Sequence, residues 1–225
     1  KHRNRITIVN RFITKTPKLV HWLFPKRVWA FSRSQPTVYL TFDDGPIPEV
    51  TPWVLDLLRK YDARATFFCI GENIMKHPEI ATQILAEGHR ISNHTFYHKN
   101  GWKTSYTDYL KDFEKFNSEF RILNSELKKS AITIPFRPPY GKMTSRQARA
   151  ILKKGHDIIM WDVLSGDYDE NISEATCLKN VLNHIKKGSI IVFHDSLKAE
   201  KNLRYALPKV LEYIKNRGWN CDTIS

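Results

Sequence analysis

The chain has no apolar run of the ~18 residues that a membrane-spanning helix needs. Cysteine is scarce and odd in number: Cys69, Cys177 and Cys221, with no CxxC pair. Three thiols this far apart make neither a disulfide framework nor a thiolate zinc site. Cys69 and Cys221 lie in apolar, strand-like runs and read as buried thiols. There is no Ser/Gly-rich linker, composition break or convincing repeat, so one domain is expected. No single element interleaves basic residues with aromatics as a nucleic-acid surface would, so no nucleic-acid partner is expected. The first residue is Lys1 rather than Met, which fits removal of an N-terminal targeting segment.

What is present suits a folded globular protein. The 41% hydrophobic content supports a packed core rather than disorder. The net charge of +13 and pI near 9.6 favour polyanionic neighbours such as acidic glycans, cell-wall polymers or lipid surfaces. Many of the cations (Lys111, Lys115, Lys153, Lys154, Lys186, Lys187) lie on helical stretches and read as solvated faces.

A strand-then-helix unit recurs from residue 36 onward. The strand-like runs are TVYLTF, ARATFFCIG, HRIS, ITIPF, HDIIMW, SIIVF and WNCDTI. Between them, helical spacing is predicted over 49–61, 78–87, 105–128, 144–154, 173–187 and 203–217. Short connections between alternating elements imply right-handed βαβ units and parallel pairing, and uninterrupted apolar strands imply that both sheet faces are covered. The expected fold is α/β, a distorted (β/α)7-type barrel of parallel strands in a single domain over 36–225. Residues 1–35 form a basic, aromatic extension, TPKLVHWLFPKRVWAF among it, expected to pack over the barrel's end. A membrane-surface helix with peripheral membrane contact is the other reading.

The polar residues fall where strands stop. Asp43-Asp44 precedes Gly45-Pro46, and the third strand runs into HTFYH with His94 and His98. The fourth ends in Arg137-Pro138-Pro139-Tyr140-Gly141, the fifth in Asp162 with Asp167 after it, and the sixth in His194-Asp195. A parallel barrel opens all strand C-termini on one rim, so these segments converge by topology. Two histidines four apart are ambiguous alone. Beside a carboxylate pair they form a two-imidazole, one-carboxylate set that leaves positions open on a cation, the pattern of a catalytic metal site. Gly45-Pro46 bends the chain just after the acids, so one can ligate while the other takes a proton from a metal-bound water. His194 is a candidate proton donor with Asp167 as its carboxylate partner. A strand-end imidazole bonded to backbone and a helix-capping acid are the alternatives for these two. Arg137 follows an apolar strand and needs acids near it in either a structural or a functional role.

In the order TFDDGP, HTFYH, FRPPYG, WDVLSGDYD and IVFHDS, over about residues 36–224, the chain resembles the polysaccharide deacetylases of the NodB-homology type (carbohydrate esterase family four). The resemblance implies metal-dependent removal of N-acetyl groups from GlcNAc-type residues of a polysaccharide. An O-acetyl, xylan-type esterase and a non-catalytic glycan-binding relative are the alternatives. It also implies roles. Asp43 is the base, oriented by Arg137; Asp44, His94 and His98 are the ligands; His194 is the acid tuned by Asp167. The backbone amide of Tyr140 serves the oxyanion, with Pro139 and Tyr168 beside the substrate. The fourth motif departs from the family's acid–tryptophan pair, having Asp167-Tyr168. The implied cofactor is a divalent metal, Zn2+ first, with Co2+, Ni2+ or Fe2+ as alternatives. The implied partner is an acetylated glycan, an anionic cell-wall polymer suiting the charge. An extracytoplasmic or cell-envelope location and a monomer are expected. A mononuclear iron oxygenase would use similar ligands, but the βα alternation argues against it.

Overall fold

The structure, a computed structural model, describes residues 13–123 and 134–224. Its strands are β1 (Thr37–Asp43), β2 (Ala65–Cys69), β3 (Arg90–Asn93), β4 (Val163–Leu164), β5 (Ile190–His194) and β6 (Asn220–Cys221). They pair in the order β3-β2-β1-β5-β4, with β6 against the start of β1, and every ladder is parallel. The helices are α1 (Lys18–Leu23), α2 (Thr51–Lys60), α3 (Gly71–Lys76), α4 (Pro78–Ala86), α5 (Tyr106–Leu123), α6 (Ser145–Lys153), α7 (Glu174–Leu182) and α8 (Glu200–Asn216).

β1 is central because its apolar run is covered on both faces. Phe42 stacks on Phe67 and Phe193 of the flanking strands, with centroids 5.0 and 6.3 Å away. Val54 and Leu58 of α2 and Leu207 and Val210 of α8 belong to the same buried core. Chain punctuation follows local rules: at α6 the Thr144 side chain accepts from Gln147 N–H while the Gln147 side chain accepts from Thr144 N–H, a full capping box.

Two expected strands are reduced to single bridges. Phe136 bridges Asn93 on one side and Ile158 on the other, both in parallel. Pro135, Pro138 and Pro139 cannot donate to a ladder. The 156–161 run spends its backbone elsewhere: Val28 N–H donates to the Ile158 carbonyl and Met160 N–H to that of Val28. These bridges carry the pairing from β3 toward β4, so the barrel is distorted on that side. Residues 124–128 of the predicted long helix, and Ile132 and Thr133 of the predicted fourth strand, lie outside the described residues. The short α3 was not predicted.

Asp162 requires a correction. It was expected on the strand C-terminal rim, but β4 begins after it, placing it at the opposite edge. There its Oδ2 accepts from Lys15 Nζ at 2.6 Å and Ser189 Oγ at 3.2 Å. Thr16 Oγ1 donates to the Trp161 carbonyl, and Ala30 bridges Ser189, so segment 15–30 is tied to the starts of β4 and β5. Among the described residues no helix is long and apolar enough to cross a membrane.

Candidate active site

β1 ends in Asp43, whose Oδ1 accepts from Arg137 Nη1 at 2.6 Å; both side chains are almost wholly buried. The other oxygen, Oδ2, faces His94 Nε2 at 4.0 Å. Arg137 is fully buried, and it also donates to Thr41 Oγ1 and to the carbonyls of Ile159 and Met160. Its guanidinium lies 4.0 Å over the Phe68 ring. That network leaves Asp43 one oxygen held and one facing the site.

The next residue leaves strand geometry. Asp44 has φ 84°, and its carbonyl accepts from Asn73 Nδ2. Thr95, His98 and Tyr140 also have positive φ, and among the described non-glycine residues only Asp62 joins them. Left-handed conformations at four non-glycine positions around one site cost of order 1–3 kcal/mol each and persist only where the surroundings enforce them. Buried Asn93 helps: its Oδ1 accepts from Thr95 N–H while its Nδ2 donates to the Phe113 carbonyl and Asn117 Oδ1.

These turns bring three donors together. Asp44 Oδ1 lies 3.2 Å from His98 Nε2 and 3.7 Å from His94 Nε2, and the three ligand atoms are mutually within 4.8 Å. His94 Nδ1 is 2.8 Å from the Arg137 carbonyl oxygen; a carbonyl can only accept, so Nδ1 carries the proton and the Nε2 lone pair faces Asp44. Burial is the main cause that lowers the His94 pKa, to about 4, so the ring is neutral as a ligand must be. Burial alone would raise Asp44, but the neighbouring imidazoles of His98, His194 and His94 outweigh it and hold the carboxyl well below the usual range. Asp44 Oδ1 is a buried oxygen without a hydrogen-bond partner. An orphaned carboxylate oxygen facing two imidazole nitrogens fits a divalent cation, with N,N,O donors suited to zinc and its neighbours.

Opposite chemistry comes from β5. His194 Nδ1 is 2.7 Å from Asp167 Oδ1, and His194 N–H donates to Asp167 Oδ2 at 2.7 Å. Burial would depress the imidazole, but Asp167, followed by the weaker pull of Asp44 and Asp43, raises its pKa to about 9. Tyr168 meets the His194 ring edge-on at 4.9 Å. Tyr140 is exposed on its short 3-10 turn, Pro139–Gly141, and packs on His98 with centroids 4.6 Å apart. No hydrogen bond among the described residues engages the Tyr140 N–H.

Of the site residues expected from the sequence, all except Arg137, Asp167 and Pro139 line one cavity of about 630 Å3. Its other walls had no role assigned from the sequence: Trp161, Leu164 and Val192 on the apolar side, which lie within the WDVLSGDYD and IVFHDS stretches, and the cations Lys142 and Lys198, which lie just outside the motifs. Gly141, at φ 67°, is required here, because a Cβ would come within 2.7 Å of Trp161. Asp195 was seen at the strand end but given no role. It is fully buried, accepts from Gly45 N–H and Thr51 Oγ1, and is pushed up by burial to about 7. A Cβ on Gly45 would lie 2.0 Å from its Oδ2, so this acid shapes the turn after Asp44.

The family profile described as polysaccharide deacetylase matches residues 32–159. The chain belongs to this family. Its relatives include a peptidoglycan-N-acetylglucosamine deacetylase of Bacillus cereus, 32% identical over 88% of this chain and 90% of that one. A chitooligosaccharide deacetylase of Azorhizobium caulinodans is 34% identical over 73% of this chain and 76% of its own length. The crystal structure of the Bc1960 peptidoglycan N-acetylglucosamine deacetylase superposes with a TM-score of 0.82 at 31% identity, covering 93% of this chain and 95% of that one. Family membership together with these relatives, each named as a deacetylase at 31% identity or more, places the chain among the carbohydrate deacetylases as an enzyme. Fold alone would not: BA3943 of Bacillus anthracis, a family-four pseudoenzyme, shares the architecture at 22% identity and a TM-score of 0.76.

Proposed function

We propose that the chain hydrolyses N-acetyl groups on GlcNAc-type residues of a polysaccharide, with Asp43 as base and His194 as acid. The observation that carries this reading is the shared cavity: three metal-type donors, a separate carboxylate oxygen and a protonated imidazole. Asp44, His94 and His98 would hold a divalent cation, zinc by their chemistry, which when bound polarises the acetyl carbonyl and acidifies water. Asp43 Oδ2 takes the proton of the attacking water, while Arg137 holds Oδ1 and so aims the carboxylate. The unengaged N–H of Tyr140 donates to the developing oxyanion, a contact worth about 3–4 kcal/mol in the transition state. His194, its Nδ1 committed to Asp167, presents Nε2–H to the leaving amine. Trp161, Leu164 and Val192 offer the acetyl methyl an apolar wall and Tyr168 shapes the sugar side, whereas Pro139, expected beside the substrate, is buried next to Tyr140 and off the cavity wall. Acetate release from chito-oligosaccharides and peptidoglycan fragments, with zinc or cobalt supplied, tests the proposal. Release that depends on the metal is expected; none from any acetylated glycan, by protein that demonstrably holds the ion, sinks it.

The charge on the cavity walls favours an anionic glycan, and with it a cell-envelope location. Lys142 and Lys198 line the opening, and among the described residues neither is in an ion pair; Lys142 rests 5.2 Å over the Trp102 ring. Glycan strands with free carboxylates are therefore expected to be turned over with roughly tenfold higher kcat/KM than the same strands with those groups esterified, two exposed ion pairs' worth. The advantage shrinks as salt rises. Equal values on the two substrates would remove the lysines from substrate choice.

A further inference from the structure

The conspicuous feature outside the active site is α1. It has no buried residue. Leu19, Trp22 and Leu23 stand at i, i+3 and i+4, one helical face, and are 64, 76 and 54% exposed. Phe24 follows, also exposed. Single exposed apolar residues are ordinary, but four within six positions make a patch.

The patch is held rather than dangling. Trp29 Nε1 donates to the Phe24 carbonyl, the His21 ring stacks on Trp29 at 5.4 Å, and Val20 packs against the core around Trp29 and Phe136. The inner side of α1 is thereby seated on the domain, which leaves the Leu19–Trp22–Leu23 face pointing away from it.

Its charge is one-sided. Nine Lys and Arg and not one Asp or Glu precede Asp43. Lys18 and Lys26 are exposed beside the patch, and Arg27 lies 4.4 Å over the Phe24 ring. Across a shallow groove, Leu23, Phe24, Lys26 and Arg27 meet Arg149 and Leu152 of α6. An apolar face bearing a tryptophan and rimmed by cations complements the boundary between acyl chains and anionic headgroups.

We propose that α1 docks on an anionic lipid surface, inserting Leu19, Trp22, Leu23 and Phe24 between headgroups while Lys18, Lys26 and Arg149 contact the lipid phosphates. A soluble polyanion would use the cations but leave the apolar face in water, so the apolar part singles out lipid. The inference does not depend on the catalytic reading.

Flotation of the 225-residue chain with phosphatidylcholine vesicles, with or without phosphatidylglycerol and at low and high salt, tests it. Binding is expected to the anionic vesicles, weaker at high salt, with a blue-shifted emission component that disappears in Trp22→Ser. The triple variant Leu19→Ser/Trp22→Ser/Leu23→Ser is expected to bind at least about tenfold more weakly, each deletion removing a buried apolar side chain from the lipid boundary. All three residues are exposed, so its thermal unfolding stays close to that of the parent; Lys18→Glu/Lys26→Glu gives a second, charge-only comparison with the same expected direction. Vesicle binding that the triple variant keeps is adsorption by charge alone and overturns the proposal. So does binding to heparin without binding to vesicles, or no binding at all.

Discussion

Asp43→Asn is expected to retain the metal ion and lose about 10²–10⁴ in kcat, the usual contribution of a positioned general base. The proposed mechanism divides the work between the adjacent acids by geometry. Asp44 Oδ1 faces the two imidazoles at 3.2 and 3.7 Å, whereas Asp43 gives Oδ1 to Arg137 and leaves Oδ2 for a proton. Asparagine preserves an oxygen for Arg137 Nη1 but has no basic oxygen for the site. His98→Ala removes one of three donors instead, and its metal affinity is expected to fall by more than about a hundredfold, beyond the loss typical of disturbing a ligand's support. Elemental analysis after dialysis against dilute zinc, run beside an acetate assay, separates the two variants. Equal metal content in both would dissolve the division of labour between the neighbouring acids.

Arg137→Met is expected to lower the free energy of unfolding by about 3–5 kcal/mol, the cost of leaving one member of a buried ion pair alone. The partner left behind is Asp43, 4% exposed. The substitution also strips donors from Thr41 Oγ1 and from the carbonyls of Ile159 and Met160. Arg137→Lys keeps the charge, but a single ammonium cannot span four acceptors set out for a planar fork. It is expected to recover part of the stability and little of the activity, since Asp43 Oδ2 is no longer aimed. Urea unfolding with acetate release on the same preparations reads both. A lysine variant with parental kcat would show that the charge alone, and not the fork, serves Asp43.

Much of the fold was legible because its central strands are unambiguous. TVYLTF, ATFFC and IIVF are continuous apolar runs, and such runs in βα alternation have few other solutions than a covered parallel sheet. Where a strand's partners were distant or its donors missing, legibility failed. The 156–161 run pairs with Val28, well over a hundred residues earlier, a relation that no local pattern shows; the 134–139 stretch reads as apolar, and its prolines, visible in the sequence, outweigh that run. Asp162 was misplaced for the same reason: the strand expected over 156–161 would end just before it, whereas β4 begins at Val163, just after it, which moves the acid from one edge of the sheet to the other. Of the cavity walls, Trp161 and Leu164 lie in the WDVLSGDYD stretch but are apolar like any packing residue, and Lys142 and Lys198 fall just outside the motifs and look like surface cations.

The sequence by itself determined that acids, imidazoles and an arginine stand at the ends of apolar strands, and parallel pairing then obliges them to share a rim. Strand pattern could not say which of two adjacent carboxylates faces the histidines, because neighbours in a strand point to opposite sides; only the family resemblance pointed to Asp44. Tertiary structure decided that. The left-handed turn at Asp44, closed by Asn73 on its carbonyl and by Asp195 on the next amide, swings the second carboxylate back toward His94 and His98. A fully buried guanidinium meanwhile claims one oxygen of the first.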